Sequence, residues 1–217
     1  MRSLSTILAA MPFVTFEGVE GSGKSSQMRF AAQRLRGLGR DVVETREPGG
    51  TAIGRTLREI LMDADNSQLD PVTEWLLLEA DRRQHVAEVL APAIARGAFV
   101  LCDRYSDATE AYQQHGRGLD AEAVRAVDAI ARDGIFPDLT LLYDLDARKG
   151  LARARARDEG RSGRFEAADL DFHERVREAY LAIARREPGR VKVIFSDAPR
   201  DEVSAATWRA LSERFSL

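Results

Sequence analysis

The fold of this chain is decided by residues 13–26, which read Phe13-Val14-Thr15-Phe16-Glu17-Gly18-Val19-Glu20-Gly21-Ser22-Gly23-Lys24-Ser25-Ser26. An apolar run typical of a strand ends in the pattern Gly-x-x-x-x-Gly-Lys-Ser, and apolar residues at helical spacing follow it. This pattern is the phosphate-binding P-loop, in the strand–turn–helix context that the motif requires. The sequence therefore predicts a site for a nucleoside triphosphate, while the acceptor of the phosphate is left open by the motif.

The residue types of this loop fit the binding of an anion. Glycines adopt positive φ and bring the backbone close to a ligand, so that successive N–H groups and the start of the next helix face the phosphates. Lys24 supplies a mobile cation for the β- and γ-phosphates, and the Ser25 hydroxyl is placed for Mg²⁺. We expect the ATP phosphates to contact Gly18, Val19, Glu20, Gly21, Ser22, Gly23, Lys24, Ser25 and Ser26.

The composition is that of one globular domain. The 217 residues are 44% hydrophobic and 31% charged, which is typical of a soluble α/β domain with a sizeable core. A net charge of −3 argues against an extended nucleic-acid surface, which needs clustered positive charge. The single cysteine, Cys102, excludes an intrachain disulfide. No apolar stretch approaches the roughly 18 residues of a membrane helix, so we expect a cytoplasmic protein with neither membrane nor nucleic-acid partners.

Strand-like and helix-like segments alternate along the rest of the chain. Short apolar or β-branched runs predict strands at 13–17, 41–45, 99–103, 139–144 and 191–195. Helical spacing between these runs predicts an α/β fold of the P-loop NTPase type, with three layers (α/β/α) around a five-stranded parallel sheet. We expect residues 1–12 to be an N-terminal extension and residues 13–217 to form a single domain.

Charged residues stand where two of these strands end. The segment Arg46-Glu47-Pro48-Gly49-Gly50-Thr51 follows the second strand as a sharp turn. It places two charges at the carboxyl edge of a parallel sheet, where ligands bind. On this segment alone, a solvated loop with a chance charge pair is an equally good interpretation. Asp103 ends the third strand, as a Walker-B carboxylate does when it holds Mg²⁺.

A long helical pattern runs from residue 72 to residue 94. It carries a cluster of charged residues at Glu79, Asp81, Arg82 and Arg83. On the residues alone, a solvated helix face is the favoured interpretation of this cluster. Pro92 is expected to kink or split the helix near its end.

Residues 148–164 are rich in arginine. They include seven basic and two acidic residues, in a chain whose net charge is −3. A solvated helix face would explain such a segment in isolation. Together with a P-loop, the segment predicts a mobile arginine-rich lid at about 147–168, since phosphoryl transfer needs its developing charge to be neutralised.

Several motifs, found in order from about Phe13 to Phe215, resemble those of the thymidylate kinase family, in its bacterial form with glutamate in the P-loop and an arginine-rich lid. Beyond the P-loop, the resemblance rests on Arg46-Glu47-Pro48-Gly49-Gly50-Thr51, Asp103-Arg104-Tyr105, Ala111-Tyr112-Gln113, Gly116-Arg117-Gly118, Arg164-Phe165-Glu166 and Phe172-His173-Glu174-Arg175-Val176. The resemblance implies a nucleoside monophosphate kinase domain that moves the γ-phosphate of ATP to dTMP, giving dTDP for dTTP synthesis. It also implies a homodimer.

The resemblance further implies roles for individual residues. Phosphoryl transfer falls to Lys24, Asp103, Arg104 and one of the lid arginines Arg157, Arg161 and Arg164. Mg²⁺ is held at Ser25 and Asp103. Arg46 and Arg104 contact the acceptor phosphate, Arg82 reads the pyrimidine edge, and Tyr112 disfavours a 2′-hydroxyl. The full set expected to contact the acceptor is Glu17, Arg46, Glu47, Pro48, Leu78, Arg82, Arg104, Thr109, Tyr112 and Gln113.

The chain departs from the family pattern at the acceptor base. Leu78 stands where a phenylalanine usually stacks on thymine, and leucine covers a ring by dispersion without the stacking geometry. A kinase of another or several pyrimidine monophosphates is therefore the nearest alternative. A P-loop ATPase that acts as a switch or assembly protein is the alternative from a different class, although it does not explain Arg46, Arg82 and Tyr112 together.

Overall fold

The sheet has the predicted size and direction. The structure is a computed structural model that describes residues 12–157, 164–165 and 168–217; the predicted N-terminal extension lies almost wholly outside this part. In the described part, five parallel strands form one sheet in the order β2-β3-β1-β4-β5. The strands are β1 (Phe13–Glu17), β2 (Val42–Arg46), β3 (Phe99–Asp103), β4 (Leu139–Asp144) and β5 (Val191–Phe195).

Helices follow each strand, as parallel pairing requires. The α-helices of the described part are α1 (Lys24–Gly37), α2 (Ala52–Met62), α3 (Pro71–His85), α4 (Ala91–Ala95), α5 (Ser106–Thr109), α6 (Ala121–Arg132), α7 (Ala147–Arg157), α8 (Leu170–Arg186) and α9 (Arg200–Phe215). Two π-helical segments, Val86–Leu90 and Glu110–Gly116, continue α3 and α5, and a 3₁₀ turn spans Ala64–Asn66. None of the described helices is long and apolar enough to cross a membrane.

The central strands are the most deeply buried part of the molecule. Every residue of β1 and β3 is buried, because helices cover both faces of the sheet. Cys102 is among them and has no exposed surface. One apolar cluster joins β1 to α1 and α9, and a second joins β4 to α8. These clusters fix the carboxyl ends of the strands, where the site is built.

The register of the sheet brings the ends of three strands together. Phe16 of β1 and Arg46 of β2 both lie beside Asp103 of β3. The P-loop follows β1, and the turn at 47–51 follows β2. The charged strand ends are therefore neighbours of the P-loop.

The charged cluster on α3 does not face solvent. Glu79, Asp81 and Arg82 are 3%, 0% and 2% exposed, so the interpretation as a solvated face is wrong for these three residues. Only Arg83 is exposed, where it pairs with Asp133. The π segment at Val86–Leu90 lies between α3 and α4, just before Pro92, so the α-helical winding is interrupted there while the chain stays helical.

Residues 106–116 are helical, and the chain leaves the helix at Arg117. The helix opens into a π turn at Glu110–Gly116. A Cβ on Gly116 would lie 2.6 Å from the Phe172 ring, so a glycine lets this turn pack directly on α8. The close packing holds the π turn against α8.

Candidate active site

Two adjoining cavities open at the carboxyl edge of the sheet, beside the P-loop. The inner cavity reaches from the P-loop toward α3 and the π turn at 110–116, and the outer cavity lies between the start of α1 and the turn after β2. The residues that line both are Gly21, Lys24, Ser25, Arg46 and Asp103. A ligand in one cavity therefore meets a ligand in the other, as the transfer of a group between two ligands requires.

Positive φ angles shape the P-loop. Gly18 has φ 137°, and a Cβ there would lie 2.5 Å from the carbonyl oxygen of Tyr143. Gly21 has φ 69°, and a Cβ there would collide with the carbonyl oxygen of Gly150 in α7. After Gly23, α1 begins without a side-chain cap. The N–H groups of its first turn are thus open to an anion.

Lys24 lies almost buried against this loop. It is 9% exposed, and its Nζ donates to the carbonyl oxygen of Val19 at 3.3 Å. Burial, followed by the positive charge of Arg104, lowers the pKa of Lys24 to about 8, although Asp103 and Glu20 oppose the shift. A phosphate placed here would supply the negative charge that this buried cation lacks.

A hydroxyl and a carboxylate meet between the two cavities. Ser25 Oγ donates to Asp103 Oδ2 at 2.5 Å. Both are hard oxygen ligands of the kind that Mg²⁺ takes, together with substrate phosphates and water. Among the described residues, no group of three or more His, Cys, Asp or Glu could hold a metal by itself. The donor set fits a metal that is shared with a nucleotide.

Arg104 is fixed from several sides. Its Nη2 donates to Glu20 Oε1 at 2.8 Å and to the Tyr112 hydroxyl at 2.9 Å, and its Nη1 donates to the Tyr180 hydroxyl at 3.1 Å. The guanidinium carbon lies 4.7 Å from the centroid of the Tyr112 ring. Burial alone would raise the pKa of Glu20, but the charge of Arg104 holds that pKa well below its usual range. The pair is therefore ionised and rigid.

Two more arginines make this region strongly positive. Arg46 is exposed at the end of β2, and Arg58 of α2 donates to the carbonyl oxygen of Pro48 at 3.1 Å. Both line the inner cavity. Burial, then the charges of Arg46 and Arg104, lower the pKa of Arg58 to about 10. A cation whose pKa is lowered by neighbouring cations marks a site built for an anion.

Arg82 binds three buried carboxylates at the base of the inner cavity. Its Nε donates to Glu47 at 2.9 Å. Its Nη1 donates to Glu79 at 3.0 Å, to Asp128 at 2.9 Å and to Thr109 Oγ1 at 3.0 Å. Its Nη2 has no hydrogen-bond partner in the part of the chain that the structure describes. Since Arg82 lines the cavity, that nitrogen is the donor left for a ligand.

The acids around Arg82 do not all ionise readily. Burial raises the pKa of Glu79 to about 7, against the opposing effect of Arg82. Burial and the charge of Glu47 raise the pKa of Asp81 to about 6. Asp81 Oδ1 also accepts the Gly49 N–H at 3.0 Å. The cluster therefore ties the turn after β2 to α3 at little net charge.

Glu74 of α3 orients the far end of the inner cavity. This carboxylate is fully buried and accepts hydrogen bonds from Gln113 Nε2 at 2.9 Å, Arg117 Nη2 at 3.0 Å and Arg164 Nη2 at 2.5 Å. Because a carboxylate only accepts, the amide nitrogen of Gln113 is the atom that faces Glu74. The amide oxygen is left to the cavity that Gln113 lines.

Comparison with known proteins places this geometry in a family. The model of the family described as thymidylate kinase matches residues 16–206. This chain belongs to the thymidylate kinase family. A thymidylate kinase of Trichlorobacter lovleyi is 46% identical over 94% of the chain and 99% of the relative, and one of Geobacter sulfurreducens is 53% identical over 84% and 87%. The crystal structure of thymidylate kinase from Ehrlichia chaffeensis superposes with a TM-score of 0.76 at 30% identity, and the match covers 93% of this chain and 98% of that one.

Most residues predicted from the family motifs meet at the two cavities. Those that line the inner cavity are Glu20, Gly21, Lys24, Ser25, Arg46, Glu47, Pro48, Leu78, Arg82, Asp103, Arg104, Thr109, Tyr112 and Gln113. Gly23 and Ser26 line the outer cavity, whereas Gly18, Val19 and Ser22 line neither and support the loop from behind. The side chain of Arg157 and all of Arg161 lie outside the described residues.

Three predicted contacts differ in the structure. The carboxylate of Glu20 faces Arg104 and the inner cavity rather than the nucleotide phosphates, because Arg104 neutralises it. Glu17 has no exposed surface and lines neither cavity, because the central strand ends beneath Arg104. Arg164 is 9% exposed and donates to Glu74 and to the Leu61 carbonyl oxygen. In this structure Arg164 compensates a buried carboxylate and does not reach the P-loop.

Two residues of the site, Arg58 and Glu74, are not predicted from the sequence. Arg58 lies in a helix of ordinary spacing, and Glu74 lies in a helix start where an acid is a common residue. Neither carries a local sequence signal, because each acts through neighbours that are distant in sequence.

Proposed function

We propose that this chain transfers the γ-phosphate of ATP to dTMP and releases ADP and dTDP. The observation that carries the proposal is the sharing of Lys24, Ser25, Arg46 and Asp103 by two cavities. With a triphosphate on the P-loop and a nucleoside monophosphate in the inner cavity, the two phosphates approach each other at these residues. Membership of the thymidylate kinase family supports the same acceptor.

The chemistry needs alignment and charge neutralisation more than covalent participation. An oxygen of the acceptor phosphate forms a bond to the γ-phosphorus, and the bond from that phosphorus to the bridging oxygen of ADP breaks. Lys24 and Arg104 stabilise the charge that moves between them, and Arg46 and Arg58 hold the acceptor phosphate in line. A lid arginine, Arg157 or Arg161, completes the set and excludes water when the lid closes.

The donor set described above fits Mg²⁺, which we propose as the metal of this reaction. Ser25 and Asp103 would hold it, directly or through water, against the nucleotide phosphates. The metal would neutralise phosphate charge in the bound ATP. Asp103 also accepts the Ser25 hydroxyl, which keeps the start of α1 aligned with β3.

The inner cavity favours a base with a particular hydrogen-bonding edge. Gln113 presents an acceptor oxygen and Arg82 presents a donor nitrogen. Thymine and uracil carry an N3–H donor beside an O4 acceptor, which matches this pair. Cytosine carries an N3 acceptor and an amino donor, so both contacts become repulsive. The Tyr112 hydroxyl, held by Glu20 at 2.8 Å, fixes the ring that would pack under the sugar and disfavour a 2′-hydroxyl.

The proposal is tested by acceptor profiling. Release of ADP from ATP and Mg²⁺ would be measured with dTMP, dUMP, UMP, dCMP, AMP and GMP in turn. We expect kcat/KM for dTMP to exceed that for dCMP by about 100-fold, as two mismatched hydrogen bonds imply. Equal turnover of several pyrimidine monophosphates would support the relaxed kinase that Leu78 suggests. ATP hydrolysis without any acceptor would support the switch protein instead.

Nucleotide binding is also expected to take up a proton at alkaline pH. The pKa of Lys24 is about 8 in the free protein, and phosphates beside it would raise that pKa. At pH 8.5 the bound form then holds up to about 0.7 proton more than the free form. Calorimetric titration with a non-hydrolysable ATP analogue, in buffers of different ionisation enthalpy, measures this uptake. Lys24→Met should lose most of it, and the absence of any buffer dependence in the wild-type protein would contradict the assignment.

We further propose that the protein is a cytoplasmic homodimer. Ile53 and Ile60 of α2, with Val72 and Leu76 of α3, are 54%, 40%, 44% and 48% exposed. The two helices pack on each other, and such an apolar surface is costly to leave in water. Light scattering that gave the mass of one 24.1 kDa chain would contradict the dimer, and cell fractionation tests the location.

A further inference from the structure

Glu17 is a buried acid that the proposed chemistry does not use. It ends β1, has no exposed surface and lines neither cavity. Both of its oxygens are nevertheless engaged. Oε1 accepts the backbone N–H of Tyr105 at 2.7 Å, and Oε2 accepts the Tyr180 hydroxyl at 2.7 Å. Each partner leads to Arg104.

The first connection runs through the backbone. Arg104 has φ 72°, in the left-handed region that costs energy for any residue with a Cβ. The Arg104 N–H donates to the carbonyl oxygen of Phe16 at 3.1 Å, and the next N–H along the chain is the one that Glu17 accepts. Two hydrogen bonds from β1 therefore hold the peptides on either side of the strained residue.

The second connection runs through a side chain. The Tyr180 hydroxyl accepts from Arg104 Nη1 at 3.1 Å. A hydroxyl has one proton, so with Arg104 as its donor the proton of Tyr180 points to Glu17. The Tyr180 hydroxyl therefore bridges Arg104 Nη1 and Glu17 Oε2. Glu20 and Tyr112 hold the other terminal nitrogen, Nη2.

We propose that Glu17 and Tyr180 are positioning residues for Arg104, which set both its backbone conformation and the orientation of its guanidinium toward the acceptor phosphate. The inference rests on the proposed function, because it takes Arg104 as a contact of that phosphate. Glu17 and Tyr180 are buried, with 0% and 3% of their surfaces exposed, so water does not compete for their hydrogen bonds to the Arg104 segment.

The test uses two matched tyrosine-to-phenylalanine variants. Tyr180→Phe removes the hydroxyl that joins Arg104 to Glu17. Tyr143→Phe removes another buried hydroxyl, which pairs with Thr207 Oγ1 at 2.9 Å on the other side of the sheet. Tyr180→Phe loses two buried hydrogen bonds and Tyr143→Phe loses one, so both variants should lose thermal stability and Tyr180→Phe should lose more. In Tyr180→Phe we expect the KM for dTMP to rise about tenfold, with kcat reduced less than threefold and the KM for ATP within twofold of wild type. In Tyr143→Phe all three constants should stay within twofold.

A second variant guards against a folding failure. Glu17→Met keeps a side chain of similar length but removes both acceptor oxygens, so that the Tyr180 hydroxyl and the Tyr105 N–H lose this partner. It should raise the KM for dTMP in the same direction. An unchanged KM for dTMP in either folded variant, whatever its thermal stability, would overturn the positioning role.

The outcome is separable from that of the proposed function. If wild-type protein phosphorylates no nucleoside monophosphate, the proposed function fails and the positioning role fails with it. If wild-type protein phosphorylates dTMP while Tyr180→Phe and Glu17→Met bind dTMP as wild type does, only the positioning role is refuted.

Discussion

Replacing Lys24 by alanine is expected to lower kcat for ADP formation about a thousandfold. Lys24 lines both cavities and brings the only amine of the P-loop to the place where the phosphates would meet. A preorganised cation in a site of low dielectric stabilises developing charge by several kcal/mol, and removing one such group costs about 10²–10³ in rate. The KM for dTMP should change less than threefold, since the other cations of the inner cavity remain. Steady-state kinetics with ATP and dTMP as varied substrates measures both constants.

Arg36→Ala is the matched control for this variant. Arg36 also lies on α1, but its partner is Glu44 at 2.6 Å on the surface, with 50% and 26% of the two side chains exposed. Its removal should leave kcat and both KM values unchanged. Circular dichroism should show a folded Lys24→Ala protein, because the variant removes a buried charge rather than an apolar contact. Residual turnover above a tenth of wild type would show that Lys24 does not act on the transferred phosphoryl group.

Replacing Arg82 by alanine is expected to lower the free energy of unfolding by about 3–5 kcal/mol at pH 7, as the loss of one partner from a buried ion cluster does. The change leaves Glu47, Glu79 and Asp128 without their common cation. The deficit should shrink as pH falls toward about 7, because Arg82 holds the pKa of Glu79 at about 7 in the wild-type protein and its removal raises that pKa, so that the variant takes up the proton at a higher pH. Urea unfolding followed by circular dichroism at pH 9 and pH 7 gives the difference.

Arg83→Ala provides the comparison on the same helix. Arg83 pairs with Asp133 at 2.7 Å, with 49% and 65% of the side chains exposed, so its loss should cost less than about 1 kcal/mol. A similar cost for the two variants, or a deficit in Arg82→Ala that grows toward low pH, would contradict the buried-cluster account.

The sheet and most helix positions can be predicted from the sequence, because the buried face of each strand or helix requires apolar residues at regular spacing. The near-continuous apolar runs at Phe99–Asp103 and Leu139–Asp144 predict strands covered on both faces, and both strands have those bounds in the structure. The helix after the P-loop starts at Lys24, four residues before Met28, its first apolar residue. Its first turn faces a ligand rather than the core, so it carries no hydrophobic period.

Site residues at strand ends can be predicted from the sequence, whereas those on helices are harder to predict. Arg46 and Asp103 are found because a parallel sheet places every carboxyl end at one edge. The sequence does not distinguish the buried Arg82 from the exposed Arg83, since a charged residue looks the same in either environment. The two arginines differ in burial because Glu47 and Asp128, which are distant in sequence, both pair with Arg82. Long-range charge pairing of this kind has no local pattern.

The π turn at Glu110–Gly116 makes the wall of the inner cavity depend on chain length. A π turn holds about one more residue than an α turn, which corresponds to a single-residue insertion in a regular helix. Deleting one residue here would restore α-helical winding and rotate the side chains beyond it by about 100°. Tyr112 and Gln113 lie inside this segment and line the cavity. Deleting one residue from this turn would therefore move several cavity-lining side chains at once, whereas a point substitution changes only one of them.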